Sequence, residues 1–345
     1  MIPRSALLVL LAVCSARLAL ASGESRVVAH YPIGGPLSGV RGIYDYLRVD
    51  PQTRRLYVAH GQAVDVLNAD TGAKVGTIAP APGAHGIALV PELGVGFTTN
   101  AGPREVAMFD LNTLKVLKSI RYTGVKPDAI EYDPHTRRVY VANGDSGDVT
   151  VIDPAAGSIV ATVQLGGKLE AIAFDGNGRM FVNAEDKSVI HVVDTQALKL
   201  VASWPLDPAE GPTGLAIDAK THRLFAACGN EKLAVVDSDT GAVVATPTVG
   251  KDPDGAAFDP ERGLIYTSNL EGTLSVIHED TPNSYRAVQT LPTAYGARTI
   301  ALDPATGRVF LPSGQFGEAA APTKENPEPR RPLLPNTFEI LVIGR

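Results

Sequence analysis

The feature that most limits what this chain can fold into is a turn that returns at a fixed spacing. Asp50-Pro51, Asp133-Pro134, Asp259-Pro260 and Asp303-Pro304 repeat the same dipeptide at intervals of 83, 126 and 44 residues. These are close to two, three and one multiples of about 42 residues, and Val90-Pro91, Asp175-Gly176 and Asp218-Ala219 fill the missing places. After each turn comes a short β-branched and aromatic run: Arg55 to Ala59, Val95 to Thr99, Arg138 to Ala142, Met180 to Val182, Arg223 to Ala227, Leu264 to Ser268 and Arg308 to Leu311. Third runs end on or near an acid, as in Val149 to Asp153 and Leu233 to Asp237. Period-two runs separated by Pro, Gly, Asp and Asn read as antiparallel meanders of four strands. One meander cannot bury its faces alone, and seven copies can do so only by stacking.

The fold class expected is therefore all-β: a seven-bladed β-propeller with four antiparallel strands per blade. Residues 26 to 33 form a lone strand before the first repeat, and the seventh repeat stops after its third strand (338 to 343). Pairing the two ends supplies the missing fourth strand and removes two open sheet edges. Residues 315 to 337, rich in Pro, Ala and Glu, interrupt the seventh repeat as an irregular loop, either a surface insertion or a lid over one face.

The chain resembles the YVTN-repeat (YncE-like) seven-bladed propellers, with Tyr140-Val-Ala-Asn143 standing for the motif that names them. The resemblance covers essentially all of residues 22–345, read as one domain, and implies a fold more strongly than a function.

Residues 1–21 read as a signal peptide. Arg4 gives a basic start, Ala6 to Val13 a short apolar run, and Ala19-Leu20-Ala21 a small-residue cleavage site. Export to the periplasm or beyond follows. Val13 ahead of Cys14 disfavours a lipoprotein, and the apolar run is too short to remain as a membrane span. Cleavage removes Arg4 and Arg17 and no acid, taking the formal charge from −6 to −8. It also leaves Cys228 as the sole cysteine, so stability must come from packing.

Propellers converge on an axis, so the residues entering the first strand and leaving the second of each blade meet on one face. Entering the first strand are Asp45, His85, Asp128, Glu170, Thr213, Asp254 and Arg298; leaving the second are His60, Asn100, Asn143, Ala184, Cys228, Asn269 and Ser313. The first set is expected to encircle a channel mouth, with His60, Asn100, Asn143, Asn269 and Cys228 farther out. Crowded carboxylates raise one another's pKa unless a cation or Arg298 compensates. Turn chemistry alone also places Asp and Asn at strand ends. Ligand-binding candidates are thus Asp45, His60, His85, Asn100, Asp128, Asn143, Glu170, Asp254, Asn269 and Arg298. Asp128, Glu170, Asp254 and His85 are candidate ligands for a divalent cation such as Ca²⁺, Mg²⁺ or Mn²⁺.

Two functions compete. The first is a non-enzymatic, monomeric binding or scaffold propeller whose partner is a peptide, a cell-envelope component or a small polar ligand. The second, implied by resemblance to lactonases and virginiamycin B lyase-like propellers, is a metal-assisted lyase or hydrolase with His85 as base and Glu170 as ligand. There is no nucleophile elbow, phosphate-cradling loop or haem-attachment motif. Single-stranded DNA, a partner that the family resemblance brings in, needs a clustered positive footprint. The acidic balance and the placing of Arg54-Arg55 and Arg137-Arg138 on the far face argue against it.

Overall fold

A computed structural model describes residues 23–34, 44–324, 329 and 331–345. The expected signal peptide lies outside them. The described chain forms seven four-stranded antiparallel sheets. Six are built from consecutive strands. The seventh combines Ala301–Asp303, Arg308–Ser313 and Glu339–Gly344 with Arg26–Pro32, so the N-terminal strand closes the ring. The first strand of each blade packs against the first strands of both neighbours, and together they line the axis.

Six of the seven blades turn on the same local chemistry, blade two having Val90 in place of the acid. The acid of the first turn caps the loop: Asp50 accepts from the Gln52 amide at 3.0 Å and the Thr53 hydroxyl at 2.6 Å. Asp133 and Asp303 repeat the pattern with Thr136 and Thr306. An Asp side chain that satisfies turn amides fixes where one strand ends and the next begins. The second strands are buried on both faces because blades stack face to face; Arg138–Asn143 is buried at every residue but its first. That is why these strands show continuous apolar runs rather than alternation. The outer strands face solvent and carry exposed residues such as Val160 and Val201.

The inner strand of blade three spans Pro127–Asp133. The pairing slips there, between Pro127 and Ile130, and the same irregularity recurs in four other blades. A bulge lets the early residues stay in the strand while turning toward the axis. The only helical turns among the described residues are Pro91–Leu93 and Glu185–Lys187, and no helix there is long and apolar enough to cross a membrane. At the base of the seventh-blade insertion the Leu334 amide donates to the Gln315 carbonyl at 2.7 Å. Phe316 and Leu333 pack on the core between blades seven and one.

A candidate binding mouth at the channel

His85, Asp128, Glu170, Thr213 and Asp254 are each the second residue of an inner strand, on the end of the ring opposite the Asp-Pro turns. Asp45 and Arg298 lie just ahead of theirs. Hydrogen bonds between blades fix the backbone of this ring. Thr99 accepts from the Gly86 amide and donates to the Asp128 carbonyl, both at 2.7 Å. Thr299 donates to the Asp45 carbonyl at 2.7 Å, Asn183 to the Thr213 carbonyl at 3.0 Å, Thr213 to the Pro253 carbonyl at 3.0 Å, and Ser268 to the Arg298 carbonyl. Each staple satisfies a carbonyl that the crowded axis shields from water. The approach is close enough that a Cβ on Gly214 would lie 2.5 Å from the Ala256 nitrogen.

The mouth is not a ring of bare acids. Asp45 is hydrogen-bonded to His85 Nδ1, which also lies 3.7 Å from Asp128. Lys126 Nζ is 2.9 Å from Asp128, Lys168 Nζ is 3.1 Å from Glu170 and also contacts Glu185, and Arg298 is 3.3 Å from Asp254. Each of the four carboxylates therefore has its own cationic or ionisable partner. The expected repulsion is compensated mostly from within, by two lysines that sequence reasoning passed over. Both stand two residues ahead of the acid they serve, in Lys126-Pro-Asp128 and Lys168-Leu-Glu170.

Burial and partner charge divide the four acids. Burial pushes Asp45 up, but the bond to His85 and the charge behind it outweigh this and hold its pKa down. His85 is correspondingly raised: burial would lower it, and Asp45 overrides that. Asp128 is raised by burial and by Asp45, against His85 and Lys126. Burial also raises Asp254, although Arg298 opposes it. Glu170 is raised to about 8 through burial and the Asp128 charge, with Lys126 and Lys168 opposing. The mouth thus sets an Asp–His pair, in which each group favours the charged form of the other, beside a carboxyl raised to about 8.

Tyr46 is a further member that the sequence reading missed. Its pKa is raised well above the usual value by burial, then by the charges of Asp128, Glu170, Asp45 and Asp254. Its ring packs against the core of blades three and four, across the axis from its own blade. The signal was available. The residue after each ring position is Gly86, Ala129, Ala171, Gly214, Gly255 or Thr299, and Tyr46 is the one large side chain in that column.

The second set of candidates lies elsewhere. His60, Asn100, Asn143, Ala184, Cys228, Asn269 and Ser313 do end the second strands, but the side chains of Asn143 and Asn269 turn into their own blades. Asn143 donates to Asp148 at 2.6 Å and Thr150 at 3.0 Å, and Asn269 donates to Thr273 at 2.9 Å and Ser275 at 3.0 Å. His60 contacts Asp65 at 3.2 Å and tilts against Phe338. Asn100 is fully buried without a side-chain partner among the described residues, because Ala107 stands where Thr150 and Ser275 offer hydroxyls. Cys228 is buried, and burial pushes its thiol up to about 12, which leaves no thiolate for nucleophilic work.

Over residues 60–283 the chain matches the family described as outer membrane protein assembly factor BamB. The chain belongs to this family. The BamB match spans His85, Lys126, Asp128, Lys168, Glu170 and Asp254; Asp45, Tyr46, Arg298, the closing strand and the insertion lie outside it. Among solved structures, the chain is similar to a subunit of Kuenenia stuttgartiensis hydrazine synthase (TM-score 0.69, 16% identity, covering 79% of this chain and 95% of that one). It is also similar to a chain of the mitotic checkpoint complex (TM-score 0.71, 14% identity, covering 90% and 96%). At these identities the likeness is one of fold. No curated protein matches the chain.

Proposed function

We propose that the protein is an exported, envelope-associated propeller that acts by binding, as a scaffold in the outer-membrane assembly setting named by its family. Its mouth would hold a peptide, an envelope component or a small polar ligand. The observation that carries this reading is the pairing of the mouth's polar side chains: Asp45 with His85, Asp128 with Lys126, Glu170 with Lys168 and Asp254 with Arg298. A rim of fixed, internally compensated donors and acceptors suits recognition, since a ligand meets oriented polar groups without needing a counter-ion. The leader-like residues 1–21 support export, and Tyr140-Val-Ala-Asn143 supports the narrower likeness to YVTN-repeat propellers. The test expresses the tagged chain with its own N-terminus, fractionates the cells and captures partners from the envelope. The expected outcome is an envelope location and a partner that is lost with Lys126→Glu plus Lys168→Glu but kept with the exposed Arg26→Glu. A cytosolic location, or capture indifferent to the mouth, overturns the proposal.

A cation-assisted lyase or hydrolase is the second reading, favoured by donor atoms of Asp45, His85 and Asp128 lying within 4.8 Å of one another. The fit is poor. Asp45 is already bonded to His85, and the Lys126 ammonium stands 2.9 Å from Asp128 where an ion would have to enter. Adding millimolar Ca²⁺, Mg²⁺ or Mn²⁺ is therefore expected to leave the melting temperature unchanged. A rise that is lost in Asp128→Asn, as mass action requires of an ion bound only to the folded chain, would restore the enzyme reading.

A further inference from the structure

On the face opposite the mouth five of the seven second strands begin with arginine, blades two and six having Val95 and Leu264, and one of the five arginines departs from the pattern of the others. At the start of the second strand, an arginine reaches the third-to-outer turn of the next blade. Arg55 donates to the Leu111 carbonyl, Arg179 to Asp239 at 2.8 Å and Arg223 to the Pro282 carbonyl at 2.7 Å, while Arg308 lies 3.6 Å from Asp70. The residue before it, where cationic, is also paired: Arg54 with Asp70 and Asp303, each at 2.7 Å, and His222 with Asp239 at 2.9 Å. Blade three has both cations, Arg137 and Arg138, and neither reaches a carboxylate or a neighbouring blade among the described residues. Arg138 lies beside the Tyr140 hydroxyl of its own strand.

These two arginines line a cleft of about 690 Å³ between blades two and three, with Leu93, Tyr132, Pro154 and Val160. Leu93 and Val160 are 45% and 47% exposed, large fractions for apolar side chains on a rigid fold. The acids at its edge are committed: Glu92 accepts from the Tyr132 hydroxyl, and Asp153 caps the turn amides of Ala155 at 2.9 Å and Ala156 at 3.1 Å. Beside the cleft, Lys118 donates to the Ala156 carbonyl at 3.2 Å and adds to the positive side.

We infer that this cleft is a docking groove for an extended acidic segment of a partner protein, with carboxylates on Arg137 and Arg138 and apolar side chains on Leu93 and Val160. Guanidinium groups left without a carboxylate on a chain of net charge −6 are complementary to carboxylates, which they bind in a fixed fork. An extended chain places alternate side chains on one face, so one such segment can present carboxylates and apolar side chains to the same cleft. The groove lies on the opposite face from the mouth, so it does not rest on what the mouth binds.

The test uses the mature chain and a fluorescein-labelled peptide of alternating Glu and Leu, read by fluorescence anisotropy. Alternating Lys and Leu and alternating Glu and Ser peptides serve as controls. Saturable binding of the Glu–Leu peptide, weakened by salt, is expected. The Arg137→Glu plus Arg138→Glu chain should lose at least tenfold in affinity, and Leu93→Ser plus Val160→Ser severalfold. Arg104→Glu, the same change of charge on the mouth side, should bind as the parent does, with melting curves confirming that every variant is folded. Equal binding by the parent and the arginine variant, equal binding of the Lys–Leu peptide, or binding of anionic phospholipid vesicles in place of the peptide would each overturn the inference.

Discussion

Deleting Ser25–Ile33 from the protein is expected to lower its melting temperature by roughly 10 °C or more, beyond the effect of any single substitution in the same strand. The strand Arg26–Pro32 pairs along its length with Glu339–Gly344, and its removal opens the edge of the seventh blade. Tyr31, 5% exposed, inserts between the ends of the ring: its hydroxyl donates to the Asp70 carbonyl of blade one at 2.9 Å, and its ring lies 6.4 Å from that of Phe310 in blade seven. Gly72 is needed to admit it, since a Cβ there would fall 2.3 Å from the tyrosine ring. Ser25 exchanges two hydrogen bonds with Gln289 at 2.9 and 2.8 Å, which ties the same strand to the outer strand of blade six. Three blades meet on one short segment.

Tyr31→Ala separates packing from pairing. It keeps the ladder and loses the buried ring, at a cost of about 3–5 kcal/mol by analogy with other large aromatic truncations. Its melting temperature should fall between those of the parent and the deletion. A deletion that melts with the parent would remove closure from the account of stability. A Tyr31→Ala chain as unstable as the deletion would assign the whole effect to the core and none to the sheet edge.

The fold was legible because the Asp-Pro turn is local chemistry: Asp50 and Asp133 each cap a loop by the same bonds, and nothing distant is required. Asp45, His85, Asp128, Glu170, Asp254 and Arg298 were legible as a column because the repeat carries every blade's residue to the same place. Lys126 and Lys168 were not, for a physical reason. They sit on the linkers between blades, where no strand register fixes direction, and only the folded backbone aims their ammonium groups at Asp128 and Glu170. Asn143 and Asn269 show the opposite error. They end their strands as expected, yet Thr150 and Ser275 on the returning third strand offer hydroxyls that draw both amides into the blade. A side chain's partner is decided across strands, which a column read along one strand does not contain.

Glu170→Gln is expected to make the protein more stable at pH 9 and to leave it nearly unchanged at pH 4. The carboxyl has a folded pKa of about 8 against an ordinary value of 4.5, through burial and the Asp128 charge. Where the folded value is the higher, the native state keeps a proton that the unfolded chain has already released. The stabilising contribution is therefore full below about pH 4.5, declines as pH rises, and is gone above about pH 8. Each unit of such a shift corresponds to about 1.4 kcal/mol, so the swing is on the order of 3–5 kcal/mol, less whatever Asp128 takes up by protonating in turn. A neutral amide of the same shape removes the titration while Lys168 keeps Glu185 as a partner. Urea unfolding of parent and variant from pH 4 to 9 reads the difference directly, as two curves that coincide in acid and diverge through neutrality. If the variant is the less stable of the two at pH 9, the Lys168–Glu170 contact outweighs the burial of the charge, and the mouth is held together by the ionised pair rather than by a retained proton.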